Sequence, residues 1–310
     1  MLQVSSVSRS FGDLRAVDDV SFDVAPGRMT GFVGANGSGK TTTMRIILGV
    51  LGADDGAVTW RGDEVTQKVR QRFGYMPEER GLYPKMKVAE QVVYMGRLHG
   101  LDRTVAQRNA TELLEQLEVV ERAEDPVEQL SLGNQQRVQI AAALVHDPDL
   151  LILDEPFSGL DPLAIEIVLG VLRDRAARGV PVLFSSHQLE VVERLCDDLV
   201  IIAAGAVAAS GSRDALRAQF GPSRFQLVVD EDAGWIRDLP GVRLVELDGP
   251  RAVFDLDDEA DDGAALAGTV VRSGQGERDQ AVLQAALQRG PVRGFGPVVP
   301  SLSEIFKEVV

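Results

Sequence analysis

Gly34-Ala35-Asn36-Gly37-Ser38-Gly39-Lys40-Thr41-Thr42 is the stretch from which the fold can be read. Gly34 to Thr41 meets every fixed position of the phosphate-binding pattern G-x-x-x-x-G-K-[ST]. Its glycines allow a tight turn whose backbone N–H groups point inward around a triphosphate. Lys40 supplies a point charge for the β- and γ-phosphates, and the Thr41 hydroxyl can ligate Mg²⁺. The flanks match this reading. Met29–Val33 is a short apolar run that predicts a strand, and Thr41–Val50 has the apolar spacing of a helix. The positive N-terminal end of that helix would face the phosphates. A chance glycine turn has no need of a strand on one side and a helix on the other.

Working outward, Leu150-Leu-Ile-Leu153-Asp154-Glu155 is an apolar strand ending in two acids. Beside a phosphate loop, the first acid is placed to hold Mg²⁺, directly or through water. The second can orient or deprotonate an attacking water. Val182–Phe184 is a further buried strand, with helices expected over Pro162–Ala177 and Gln188–Asp197. Strands alternating with helices predict an α/β fold built on a mainly parallel sheet with helices on both faces. Residues 1–30 alternate polar and apolar in short runs, as antiparallel strands do. Val88–Leu98 and Thr104–Val119 read as helices. Leu199–Ser212 reads as two buried strands joined at Ala204-Gly205.

Many phosphate-loop proteins share these parts. Leu130-Ser131-Leu132-Gly133-Asn134-Gln135-Gln136-Arg137-Val138 narrows the choice, because it resembles the LSGGQ signature and following QQRV of ABC ATPases. Ser131 at a helix start can cap that helix, and Gly133 allows close backbone approach to a phosphate. The rest of the family pattern follows in order. Ser158-Gly159-Leu160-Asp161 resembles the D-loop, and Ser185-Ser186-His187 resembles the switch region. Phe11, in Ser10-Phe11-Gly12, occupies the place of the aromatic that stacks on adenine.

The resemblance implies a P-loop ABC ATPase core over residues 1–220, a mixed sheet with an antiparallel β subdomain and a helical subdomain at about 79–148. It implies ATP and Mg²⁺ as ligands. Phe11 and Gly34 to Thr42 would bind nucleotide, Thr41, Glu78 and Asp154 the metal, and Lys40, Glu155 and His187 would serve hydrolysis. Ser131, Leu132, Gly133 and Asn134 would act in trans on the ATP of a second ATP-binding subunit, in a homo- or heterodimer, with Asp161 in the D-loop. Two departures stand out. Glu78 replaces the family's usual Gln, and Leu132 and Asn134 replace Gly and Gln in the signature. Both resemble an exporter subgroup that works with ABC-2-type membrane permeases, as does the ending Pro300-Ser-Leu-Ser-Glu-Ile-Phe306.

After about residue 220 the pattern changes. Phe225–Val229, Val242–Leu247 and Ala252–Leu256 read as short strands, Glu277–Arg289 and Ser301–Val309 as helices. Residues 221–310 are therefore expected to form a separate small α+β accessory domain. The acidic run Asp255, Asp257, Asp258, Glu259, Asp261 and Asp262 reads as a solvated loop, since the spacing of a calcium-binding EF-hand is missing.

Bulk properties limit the partners. The formal net charge of −15 argues against nucleic acid. The lone Cys196 cannot form an internal disulfide and reads as a packed thiol. His99 and His146 read as structural. The longest uncharged run, Leu199–Ser212, falls short of the roughly 20 residues a bilayer span requires. No signal-peptide pattern opens the chain. The expected location is the cytoplasmic face of the membrane, held there by the permease. A soluble ABC ATPase acting on the ribosome or DNA is the alternative. The single phosphate loop, the absence of a coiled-coil insert before the signature and the acidic charge all disfavour it. In a nucleotide titration, Lys40→Ala should weaken ATP binding strongly, and Phe11→Ala less, since stacking is worth on the order of 1 kcal/mol. Negligible effects of both would mean that the nucleotide lies elsewhere.

Overall fold

The computed structural model describes residues 1–79, 81–220, 224–256 and 275–298, with 301, 304 and 306 as single residues. Met1–Arg213 packs as one compact unit, and the described residues of Asp214–Glu308 form a second.

The first unit begins with β1 (Leu2–Phe11) and β2 (Leu14–Val24), an antiparallel pair. With β4 (Asp55–Trp60) and the short β5 (Asp63–Glu64) they form a sheet ordered β2-β1-β4-β5. The second sheet is ordered β10-β9-β3-β8-β7-β6. Its strands are β3 (Met29–Val33), β6 (Phe73–Met76), β7 (Leu150–Leu153), β8 (Val182–Ser186), β9 (Asp198–Ala203) and β10 (Ala206–Ser212). All neighbours are parallel except β9 and β10, which are joined by a tight turn. The α/β expectation with a mixed architecture therefore describes the fold. The central strands β3, β7 and β8 are buried along their whole length; β7 is a continuous apolar run, while β3 and β8 also bury Thr30, Ser185 and Ser186.

Side chains from both sheets share one core. Val4, Val20 and Phe22 from the antiparallel sheet meet Phe32, Ile152 and Leu183 from the parallel one, together with Met44 and Ile47 of helix α1 (Lys40–Ile47). Rings mark the seams: Phe22 lies 5.2 Å from Phe32, and Trp60 meets Phe73 edge-on at 5.4 Å. A short α2 (Gln67–Arg70) leads into β6. Helices α3 (Val88–Leu98), α4 (Arg103–Gln116) and α5 (Leu132–Leu144) pack on one another between β6 and β7. Next come α6 (Pro162–Ala177) and α7 (Leu189–Leu195), and α8 (Arg213–Phe220) follows β10.

One local expectation needs adjustment, while the readings of Cys196, His99 and His146 agree with the structure. Of the paired strands in Leu199–Ser212, β9 is buried, but β10 buries only Ala209. It lies at the sheet edge, with no neighbouring strand on one side among the described residues. Cys196 is packed, and burial pushes its thiol up to about 12. His99 and His146 stack at 3.6 Å, and each ring nitrogen facing the chain meets a backbone carbonyl, of Gln71 and Phe73 respectively. Burial, then the neighbouring His99, lowers His146 to about 4.

In the second unit, β11 (Arg224–Val229), β12 (Val242–Asp248), β13 (Arg251–Leu256) and β14 (Val292–Pro297) form an antiparallel sheet ordered β12-β13-β11-β14. Leu227, Ala252 and Phe254 from the sheet pack with Val282 and Ala286 of α9 (Gln275–Arg289). Asp255 is not in a solvated loop. It is the penultimate residue of β13, is 3% exposed, and stands opposite Arg224 on one neighbouring strand and Arg243 on the other. Arg224 binds it at 2.7 Å and Arg243 at 2.8 Å. The other acids of that run, and most of the expected helix Ser301–Val309, fall outside the described residues.

Burial alone would raise the Asp255 carboxyl, but its bonds to Arg224 and Arg243 outweigh that and hold it below the ordinary range. A depressed pKa means stability that is present above the unfolded value, about 3.9, and lost as pH falls through the folded one. At neutral pH, Asp255→Ala should destabilise the second unit by about 1.5–3 kcal/mol, because Arg224 loses its hydrogen bonds to a charged, buried partner and keeps only Glu304. In denaturation curves that gap between wild type and variant should shrink below about pH 4. A gap constant down to strong acid would mean the ion pairs contribute nothing.

Candidate functional site

Strand register assembles the site. In the parallel sheet Val33 pairs with Ser186, Leu153 with Phe184 and Met76 with Leu153. Strands β3, β8, β7 and β6 therefore end along one carboxyl edge, where open α/β sheets bind their ligands. The residues that follow these ends are Gly34, His187, Asp154 with Glu155, and Glu78. An open cavity of about 200 Å³ lies there, lined in part by Lys40, Thr41, Glu78, Asp154 and Glu155. Asn36, Gly37, Gly39, Thr42 and Ala16 of β2 complete it.

The loop's glycines have steric reasons. A Cβ on Gly34 would fall on the carbonyl oxygen of Ile202. Gly39 adopts φ 107°, and a Cβ there would lie 2.6 Å from the Ala16 carbonyl. Ala35 and Ser38 belong to the same turn: Ser38 N–H donates to the Ala35 carbonyl at 3.1 Å. The Lys40 ammonium is buried and donates to the carbonyls of Gly34 (2.7 Å) and Ala35 (3.1 Å). Burial lowers its pKa, while Glu155, Asp154 and Glu78 pull it back up.

Across the cavity the acids are tied down. Thr41 Oγ1 donates to Asp154 Oδ2 at 2.9 Å, and Ser185 Oγ donates to Asp154 Oδ1 at 2.5 Å. The same Ser185 oxygen accepts from the Glu155 N–H at 2.8 Å. Glu155 takes φ 52°, the left-handed region that costs a non-glycine residue about 1–3 kcal/mol. Its carbonyl accepts from Gln136 Nε2 (3.0 Å) and from Ser158 N–H (3.1 Å), so the conformation is held from both ends of the residue. The Glu155 carboxylate meets His187 Nδ1 at 3.0 Å, and the His187 side chain is half exposed.

Other expected site residues stand apart. Phe11 sits at the tip of the β1–β2 hairpin, 47% exposed, with the Arg9 guanidinium 5.2 Å from its ring centre. It does not line the cavity. Nor do Ser131, Leu132, Gly133 and Asn134. Ser131 caps α5 by accepting from Asn134 N–H at 3.3 Å, and Leu132 is 59% exposed. The Asn134 side-chain oxygen is taken by Arg137 Nη2 at 2.5 Å. Asp161 caps α6, accepting from Ala164 N–H at 2.9 Å, with Pro162 in the first turn. The sequence pattern assigns no role to the contacts of Ser185, Gln136 and Gln139, because nothing in the order of residues shows that these polar side chains are buried.

A phosphate loop at the end of β3, facing an acid pair at the end of β7, defines a nucleotide-binding protein of the P-loop class. Comparison with known proteins narrows this. The family described as ABC transporter matches residues 17–158. An ABC transporter ATP-binding protein of Bacillus subtilis strain 168, YhaQ, is 38% identical over the whole chain and 98% of its own length. The Nod factor export ATP-binding protein I of Paraburkholderia xenovorans is 38% identical over 69% of this chain and 72% of its own. A solved ATP-binding subunit of an ABC transporter superposes with a TM-score of 0.66 at 34% identity, covering 71% of this chain and 93% of its own. The chain belongs to the ATP-binding subunits of ABC transporters, the ABC ATPases.

Ser185→Ala removes both bonds that orient the acids. A hydrogen bond to a charged group contributes about 1.5–3 kcal/mol, so ATP hydrolysis should fall by about 10- to 100-fold. A variant with wild-type turnover would show that Thr41 and the backbone place Asp154 unaided.

Proposed function

We propose that this chain binds and hydrolyses ATP with Mg²⁺ as one of two paired ATP-binding subunits, powering export through a separate ABC-2-type permease. The observation that carries the reading is the cavity itself. One buried ammonium faces three carboxylates there. A polyphosphate entering so acidic a site needs a divalent cation, and Mg²⁺ typically uses one or two carboxylates plus substrate phosphates. Thr41 Oγ1 and Asp154, already in contact, fit that role, with Glu78 across the cavity. Bound Mg²⁺ would neutralise charge developing on the transferred phosphoryl group.

The remaining steps belong to the chain. The loop N–H groups and Lys40 hold the β- and γ-phosphates. Glu155 accepts a proton from the attacking water, and His187, bonded to Glu155, contacts the γ-phosphate. Phe11 offers an exposed ring for the adenine. Pairing of two subunits is supported by the signature. Its residues lie outside the cavity of their own subunit, and a Cβ on Gly133 would meet only ordinary contacts, with Gly159 at 3.5 Å and Leu160 at 3.6 Å. Neither observation gives the motif a use within one chain. The capped N-terminus of α5 is suited to a γ-phosphate held by the partner. ATP then bridges the subunits, and its loss shifts the population toward the open pair.

A separate membrane chain is supported by the helices: none among the described residues is long and apolar enough to cross a membrane. Export is supported by the Nod factor export relative. Attachment to that permease would hold the chain at the cytoplasmic face of the membrane.

Glu155→Gln keeps size and hydrogen bonding but removes the base. ATP should still bind, turnover should fall by about 10²- to 10⁴-fold, and a nucleotide-bound dimer should accumulate on size-exclusion chromatography. Near-normal turnover would remove Glu155 from the reaction.

A further inference from the structure

Helix α5 opens at Ser131 and carries two glutamines, Gln136 and Gln139, three residues apart and so on one face. Both are buried, at 3% and 4% exposure. Gln136 Nε2 donates to the carbonyls of Glu155 (3.0 Å) and Pro156 (3.1 Å). Gln139 Nε2 donates to the carbonyls of Pro77 (2.7 Å) and Glu79 (3.4 Å), which flank Glu78. An amide NH₂ has two protons, so each side chain commits its whole donor capacity to one loop. Those two loops carry Glu155 and Glu78, carboxylates on the cavity lining.

We propose that Gln136 and Gln139 are positioning residues that tie the Glu155 and Glu78 loops to α5, so that the placement of the Ser131 end sets both carboxylates. The inference rests on the roles given above to Glu155 and Glu78. Neither glutamine lines the cavity, so neither acts on substrate directly. Gln136 has a specific task, because Glu155 holds a left-handed backbone that relaxes unless its neighbours over-determine it. Ser185 holds the N–H side of that residue, and Gln136, with the Ser158 N–H, the carbonyl side. Gln139 performs the same service for a loop that enters no helix or strand at Glu78. A partner's phosphate bound at the capped end of α5 would thus be registered at both acids through two rigid amide links.

The test uses the purified full-length chain. Gln136→Met and Gln139→Met keep length but lose the donors. Each should lower kcat for ATP by about tenfold or more while KM and the ATP dissociation constant stay within about threefold, because the phosphate loop is untouched. A purely structural amide would lower the melting temperature and leave kcat of the folded protein unchanged, and that result overturns the proposal. For Gln139, the loss should vanish in a Glu78→Ala background, since there is no carboxylate left to place. Additive losses, or a silent Glu78→Ala, overturn its part. For Gln136, the isosteric Gln136→Glu donates an O–H to the Glu155 carbonyl only when protonated. Its kcat relative to wild type should therefore rise as pH falls, and a flat ratio overturns its part. This variant also carries the test if the methionine variants do not fold. A wild-type chain that fails to hydrolyse ATP overturns the reading of the cavity and this inference with it, whereas an active wild type with unaffected variants overturns this inference alone.

Discussion

Everything at the site depends on the parallel pairing of β3, β8, β7 and β6 with their carboxyl ends in line. Each of these strands is short, and polar or glycine residues follow close behind its carboxyl end: Gly34 after β3, His187 after β8, Asp154 and Glu155 after β7, and Glu78 two residues after β6. A slip of one residue in any pair would turn that strand's side chains over and move its terminal acid, histidine or loop out of reach. The shared core with the antiparallel sheet resists such a slip. Ile152 and Leu183 would have to exchange places with residues facing the other way. The geometry of the site is thus a by-product of the apolar packing beneath it.

Within that frame, the cavity concentrates unfavourable features. It holds a buried ammonium and two buried carboxylates, Asp154 and Glu155, the latter in a left-handed backbone, with the exposed Glu78 at its rim. Burying charge in this way is costly unless partners are present. The partners are specific. Thr41 and Ser185 hold the two oxygens of Asp154, carbonyls of the loop hold Lys40, and Ser185 with Gln136 holds the Glu155 backbone. What they leave unbalanced is negative charge, which suits a site whose ligand would arrive with a metal ion.

The second unit solves a smaller problem by similar means. Its sheet buries an aspartate near the end of β13, and the antiparallel register places an arginine opposite it on each side. These cross-strand pairs answer the charge that an acidic segment brings to the sheet. Arg224 also reaches Glu304 at 2.5 Å, which ties the strand to a residue near the end of the chain.

Local chemistry was legible from the amino-acid order. The glycines, Lys40 and Thr41 between a strand and a helix, the apolar β7 ending in Asp154 and Glu155, and Ser131 as a cap all show in spacing and residue type. Each depends on interactions within a few residues. The short β6 and the glycine-containing β14 carried no comparable pattern, and β4 was equally silent. The strand order β3-β8-β7-β6, which brings Glu78 to the acids, depends on pairing between segments far apart in the chain. So do the contacts of Ser185, Gln136 and Gln139, whose polar side chains look like any other until burial leaves them only loop atoms to bond. Asp255 shows the same limit. An acid in an acidic run reads as solvated, and only the register of three strands supplies the two arginines that allow it to be buried.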